Sequence, residues 1–315
     1  MLGRTGHLRR DAAASLFRRA TGGGVVRRTA TGAVKHAFTA LPAAPAPVRP
    51  VLVVGCHRSG TTLLHDALAC SPELASLGDE APVLWEAFHH PSRHGWSSNA
   101  LGADDVTEGE RKWVYRVVQA VTGRLRFLEK TPSNCLRIPY LNELFPDATF
   151  VFLRRRAADN VNALMEGWRA RPRFVTYRLP ERLEGLGERS GREWSFVLVP
   201  GWNELRRASL EEICARQYVE CNEAILRARA ELDPARVIDV AYEDLVERPS
   251  EEIPRIFAEL GLRFTDEAAR FAASVPGTPV NALTPPRREK WREQNPAEIR
   301  RILPLVAATE RRLGY

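Results

Sequence analysis

The segment Gly55-Cys56-His57-Arg58-Ser59-Gly60-Thr61-Thr62 places two glycines at the spacing of a phosphate-binding loop, directly after an apolar run and before a helix-forming stretch. In such a loop successive backbone N–H groups converge on an anion, and the following helix adds unsatisfied amides and the positive end of its dipole. Thr61 and Thr62 offer hydroxyl donors, and Arg58 puts a cation inside the loop. A nucleoside triphosphatase needs Lys after the second glycine to reach β- and γ-phosphates; Thr61 stands there instead, so the loop suits a different anion. The bland alternative is a glycine turn joining strand to helix. Other candidate stations are the acidic pair Asp79-Glu80, the run Glu129-Lys130-Thr131-Pro132, the triplet Arg154-Arg155-Arg156, Tyr242, and the cation-rich Thr284-Pro-Pro-Arg287-Arg288-Glu-Lys290-Trp291. Taken singly, these also read as a solvated turn, a surface lysine, a solvated charge run and a basic surface loop.

These stations need a scaffold, and the hydrophobic pattern supplies one. Val51 to Gly55 suits a strand buried on both faces, with a helix expected from about Thr61 to Cys70. Further strands are expected at Arg126 to Glu129, Thr149 to Leu153 and Arg236 to Val240, each separated by helix-length segments, a pattern that implies a parallel sheet with helices on both sides. Ser209 with Glu212 forms a capping box for a helix to about Leu232, Ser250 opens another ending near Gly261, and the last runs from about Pro296 to Leu313. Lys130 then falls at the carboxyl edge of a strand, where a parallel sheet presents residues to a ligand crevice. The stretch Arg169 to Trp202, rich in Gly, Pro and Arg with little periodicity, reads as a variable cap over that crevice.

Composition narrows the classes. At 315 residues and 44% apolar the chain is long enough to bury a full core. Its +7 charge is unevenly spread: residues 1–50 hold nine Lys or Arg and one Asp, leaving 37 basic against 38 acidic residues beyond. A basic extension on a near-neutral body argues against a nucleic-acid-binding domain. The extension, ending in the Pro/Ala stretch Leu41 to Pro50, is expected to be poorly ordered, with a transit peptide or peripheral membrane contact as the alternatives. Five cysteines match no zinc spacing and their odd number does not suggest a disulfide framework, so a reducing, cytoplasmic setting is expected, and no apolar run is long enough to span a membrane.

With these stations in place the chain resembles the sulfotransferases that use 3'-phosphoadenosine-5'-phosphosulfate (PAPS), above all the bacterial and tyrosylprotein sulfotransferases, in segments from about Val51 to the C-terminus. The resemblance implies an α/β, P-loop NTPase-like three-layer fold with a central parallel sheet flanked by helices, as one domain over residues 51–315. It implies that His57, Arg58, Ser59, Gly60, Thr61 and Thr62 hold the 5'-phosphosulfate, Arg58 taking part in catalysis too, and that Glu80, rather than Asp79, takes the acceptor's proton. Lys130 would neutralise charge on the leaving oxygen, Tyr242 would contact the nucleotide, and Lys290 would reach phosphate from a closing loop. Arg155 would bind the 3'-phosphate, although the position of the family's serine falls on Ala163; a register slip of one gives the roles to Arg154 and Asn162. PAPS needs no metal between β- and γ-phosphates, which fits the absent Lys. The acceptor would be any hydroxyl: carbohydrate, lipid, peptide tyrosine or small natural product. Two rivals stand beside this reading, a P-loop kinase using ATP and an inactive homologue that only binds nucleotide.

Three signals are set aside. His89, His90 and His94 lack an accompanying Asp, Glu or Cys cluster and read as a wet loop. His57 is a possible base, as histidine is in cytosolic sulfotransferases, but those carry it elsewhere in the chain. Trp85, Phe88, Trp96, Trp168, Trp194 and Trp202 read mostly as core, with an apolar acceptor pocket as the alternative for some.

Overall fold

The computed structural model describes residues 44–123, 125–277, 283 and 288–315. Most of the basic extension and all of Thr284 to Arg287 lie outside the described residues.

Five parallel strands form the central sheet: β1 (Val51–Gly55), β2 (Leu74–Ser76), β3 (Arg126–Glu129), β4 (Thr149–Arg154) and β7 (Val237–Ala241), in the order β2-β3-β1-β4-β7. β1 is central because it is apolar throughout: Val51 and Val53 face one core, Leu52 and Val54 the other, and none of the four is exposed to solvent. β4 alternates likewise, pairing with β1 from Val51 opposite Thr149 to Gly55 opposite Leu153. One face of the sheet is covered by α1 (Thr61–Ala69), α7 (Tyr242–Glu247), α8 (Pro249–Glu259) and α9 (Asp266–Ser274). The other is covered by α2 (Pro82–His89), α3 (Glu108–Thr122), α4 (Ile138–Leu144), α5 (Ala157–Arg169), α6 (Leu210–Glu231) and α11 (Pro296–Arg312), while the short α10 (Trp291–Gln294) leads into α11. This is the expected three-layer α/β architecture.

Strand and helix boundaries follow the sequence closely, with informative exceptions. The capping box at α6 forms, the Glu212 carboxylate accepting from both the Ser209 N–H (2.7 Å) and its hydroxyl (2.9 Å). At α8 the helix begins at Pro249 rather than being opened by Ser250, since proline at the first helical position needs no N–H partner. The stretch read as an aperiodic cap contains an antiparallel hairpin, β5 (Val175–Leu183) with β6 (Gly191–Ser195). Trp85, Trp168, Trp194 and Trp202 are buried, as expected, whereas Phe88 and Trp96 are only partly buried at the edge of the core. The histidine loop is structural: His89 pairs with the fully buried Glu110 at 3.0 Å and stacks on His94, while His90 bonds Ser92. All five cysteines are free thiols.

Candidate active site

β1 ends at the carboxyl edge of the sheet, and the loop that follows is held open by two glycines. A Cβ at Gly55 would lie 2.8 Å from the Leu153 carbonyl oxygen, so the strand pairing leaves no room for a side chain. Gly60 has φ +104°, and a Cβ there would lie 2.3 Å from the Tyr242 ring. That ring has little freedom to retreat, because Arg155 lays its guanidinium over it, 4.2 Å from the centroid. Gly60→Ala should therefore combine backbone strain of about 1–2 kcal/mol with a direct clash. The expected result is a Tm at least about 2 °C below wild type, read from a melting curve; an unchanged Tm would show that the Tyr242 ring gives way without cost.

The loop is pinned from outside by polar groups of the β4–α5 segment. Asn160 donates to the His57 carbonyl (2.9 Å) and Arg155 to the Arg58 carbonyl (2.7 Å), so both carbonyls turn toward that segment and away from the loop's interior. Of the arginine triplet, Arg155 lines the cavity, whereas Arg154 and Arg156 lie over the Tyr315 ring. Glu243 fixes the start of α5 by accepting from the Arg156 N–H (3.0 Å) and the Tyr315 hydroxyl (2.6 Å).

A cavity of about 480 Å³ opens above the loop. His57, Arg58, Gly60, Thr61, Thr62, Glu80, Arg155, Tyr242 and Lys290 all line it. Ser59 is buried behind the loop, its hydroxyl facing the Gly55 backbone. Lys130, just past the end of β3, enters beneath the loop: its side chain is 1% exposed and its ammonium donates to Thr62 Oγ1 and Glu80 Oε1, both at 3.3 Å. The Glu80 side chain is 43% exposed, so solvent and a second substrate can reach it. Thr131 sets the spacing between these groups. Its hydroxyl donates to Glu129 (2.5 Å) and accepts from the Ala81 N–H (3.0 Å), tying the loop that carries Glu80 to the strand that carries Lys130. Burial pushes the Glu129 carboxyl up, against the opposing pull of its bonds from Thr131 and Asn134.

Charge in the cavity is crowded. Burial, and then the neighbouring Arg155, press the Arg58 cation toward losing its proton. His57 is pulled down to about 3 by burial and by the cations Lys130, Arg58 and Arg137. Its imidazole is therefore neutral at physiological pH and a poor proton acceptor in this site. Among the described residues Nδ1 of His57 and Nε of Arg155 are buried polar atoms without a hydrogen-bond partner, and the guanidinium nitrogen is a donor that an entering anion would satisfy.

The family model for the sulfotransferase family matches residues 50–195 and 189–266, most of the chain. The chain belongs to the sulfotransferase family. It is thus a transferase by descent. Among its relatives, a Caenorhabditis briggsae protein named as a protein-tyrosine sulfotransferase candidate is 25% identical over 224 residues, 69% of this chain and 67% of that protein. Nodulation protein NoeE of Sinorhizobium fredii is 29% identical over 66% of this sulfotransferase and 49% of its own length. The omega-hydroxy-beta-dihydromenaquinone-9 sulfotransferase Stf3 of Mycobacterium bovis is 25% identical over 59% of this chain and 42% of its own, so the chain spans about half the length of these two relatives. Sulfotransferase STF9 from Mycobacterium avium shares the fold, with TM-score 0.55, 15% identity and coverage of 97% of this chain and 85% of that one.

Sequence reasoning missed several groups that the fold brings to the cavity. Phe174, Val175, Thr176 and Phe196 come from the hairpin and its ends, and Glu86 and Arg137 from α2 and the turn before α4. Glu166 was also missed, although it lies one helical turn beyond Ala163 on the same face of α5. Lys290 reaches the cavity paired with Glu166 at 3.2 Å. Asn162 turns elsewhere, to Gln294 and Asn295.

Proposed function

We propose that this sulfotransferase moves a sulfuryl group from PAPS to the hydroxyl of an acceptor. The observation that carries the reading is the convergence of Lys130, Thr62 and Glu80 at the mouth of the loop: a buried cation, a loop hydroxyl and a reachable carboxylate within one set of 3.3 Å contacts. The loop amides and Arg58 hold the 5'-phosphosulfate. The acceptor oxygen attacks sulfur and gives its proton to Glu80; the bond from sulfur to the 5'-phosphate oxygen breaks, and Lys130 supports the charge that gathers on that oxygen. The bisphosphate leaves with the electron pair.

Arg155 and Tyr242 hold the nucleotide's far side in this reading. The residues fit such a donor by their geometry: the Gly60 cradle admits no Cβ, and among the described residues the Arg155 Nε–H has no acceptor. Thr61, 3% exposed, stands where ATP chemistry needs a lysine, which disfavours the kinase reading. The apolar hairpin residues over the cavity would choose the acceptor, whose class the relatives' names spread widely. Among the described residues no helix is long and apolar enough to cross a membrane.

The test is calorimetric titration of adenosine 3',5'-bisphosphate, with ATP, with and without magnesium, as control. Wild type should bind the bisphosphate and not ATP, and Arg58→Ala should weaken the bisphosphate by at least tenfold, the worth of a charge-assisted contact of about 1.5–3 kcal/mol. Binding of magnesium ATP without the bisphosphate would replace this reading with the kinase.

A further inference from the structure

Lys290 and Glu166 form an ion pair at 3.2 Å in which each side chain is only 13% exposed. The same carboxylate accepts from Gln294 Nε2 at 3.0 Å, and its charge acts favourably on the buried Arg58 cation. Glu166 lines the cavity together with Arg58, Arg155, Arg173 and Lys290, on the helix face that also presents Ala163. A carboxylate at this point is the wrong sign for the wall of a site that must take phosphate, yet the right sign for cations crowded together without one. Burying several like charges is costly unless an opposite charge accompanies them.

We propose that Glu166 is an internal counter-anion: it neutralises the cradle's cations in the ligand-free protein and competes with the donor's phosphate for Lys290. This rests on the donor reading above and refines it, because nucleotide affinity then reflects an exchange of one anion for another. Two costs follow on binding: Lys290 gives up its carboxylate, and the carboxylate must sit beside an entering phosphate or turn away from it. Gln294 supplies the alternative anchor, since its amide already holds Oε1. Ala163 on the same face adds no hydroxyl to offset these costs. Donor affinity is set below what its cations alone would give.

The experiment compares wild type, Glu166→Gln and Glu166→Asp by calorimetric titration with adenosine 3',5'-bisphosphate, each sample first checked by its melting curve. Because the glutamine variant removes the Glu166 charge from beside Lys290 and can lower stability, the rise in Tm that the bisphosphate produces is read in the same samples. The expected result is at least tenfold tighter binding and a larger ligand-induced Tm rise for Glu166→Gln, with Glu166→Asp within threefold of wild type. Equal or weaker binding by Glu166→Gln, in a protein where wild type binds the bisphosphate, overturns the proposal and makes Glu166 a positioning residue for Lys290. If neither wild type nor the variants bind the bisphosphate, the donor reading falls and the proposal with it.

Discussion

Replacing Lys130 by methionine should lower kcat about 10²–10³-fold while leaving bisphosphate affinity within a few-fold, the loss expected when one preorganised transition-state contact is removed. The Lys130 side chain is only 1% exposed, so methionine of similar length keeps the packing, and the stranded Glu80 stays hydrated because its side chain is 43% exposed. The split between kcat and affinity is the informative part. A lysine that bound donor and transition state equally would raise KM when lost; one that answers charge developing on the leaving oxygen lowers kcat instead. Single-turnover transfer from radiolabelled PAPS, beside bisphosphate titration, separates the two. An unchanged kcat would remove Lys130 from the chemistry and leave it as a prop for Thr62 and Glu80.

The reach of the sequence is set by how local each signal is. β1 was legible because a five-residue apolar run between Pro50 and the loop can only be buried on both faces. β2 was not, being three residues with only Leu74 buried. The β5–β6 hairpin hid for a different reason: Arg178, Glu181 and Arg182 are exposed, register shifts interrupt the pairing, and alternation is blurred. In the site, the loop and the strand-end Lys130 announce themselves through contiguous residues. Glu86, Arg137 and Phe174 reach the cavity only through tertiary packing, which no local pattern encodes. Glu166 lies between these cases: its i+3 spacing from Ala163 was readable, but its meaning depends on Lys290, 124 positions later, arriving as a partner. Lys290 was expected to reach phosphate; the structure shows it pairing with a carboxylate at the same cavity, and the exchange between the two anions is what sequence alone does not display.

Glu80→Gln should cut kcat by about 10²–10⁴-fold for an aliphatic alcohol acceptor, the usual span for a lost general base. Glutamine keeps the length and an oxygen for Lys130, so binding of the bisphosphate should hold within a few-fold. The loss should also depend on the acceptor. A phenol acidic enough to be ionised at the assay pH has no proton to surrender, so the variant's deficit should shrink steadily across a series of increasingly acidic phenols. A merely structural carboxylate would cost the same for every acceptor. His57 makes a separate control, since burial and three neighbouring cations keep its imidazole neutral with a pKa of about 3, and a base of that kind would not restore the lost step. Coupling supplies the final discriminant. Lys130 and Glu80 touch at 3.3 Å and serve opposite ends of one displacement, so the double variant should lose less than the product of the single losses. Strict additivity, or a deficit indifferent to acceptor acidity, would move the proton to another group and dissolve the pairing on which the mechanism rests.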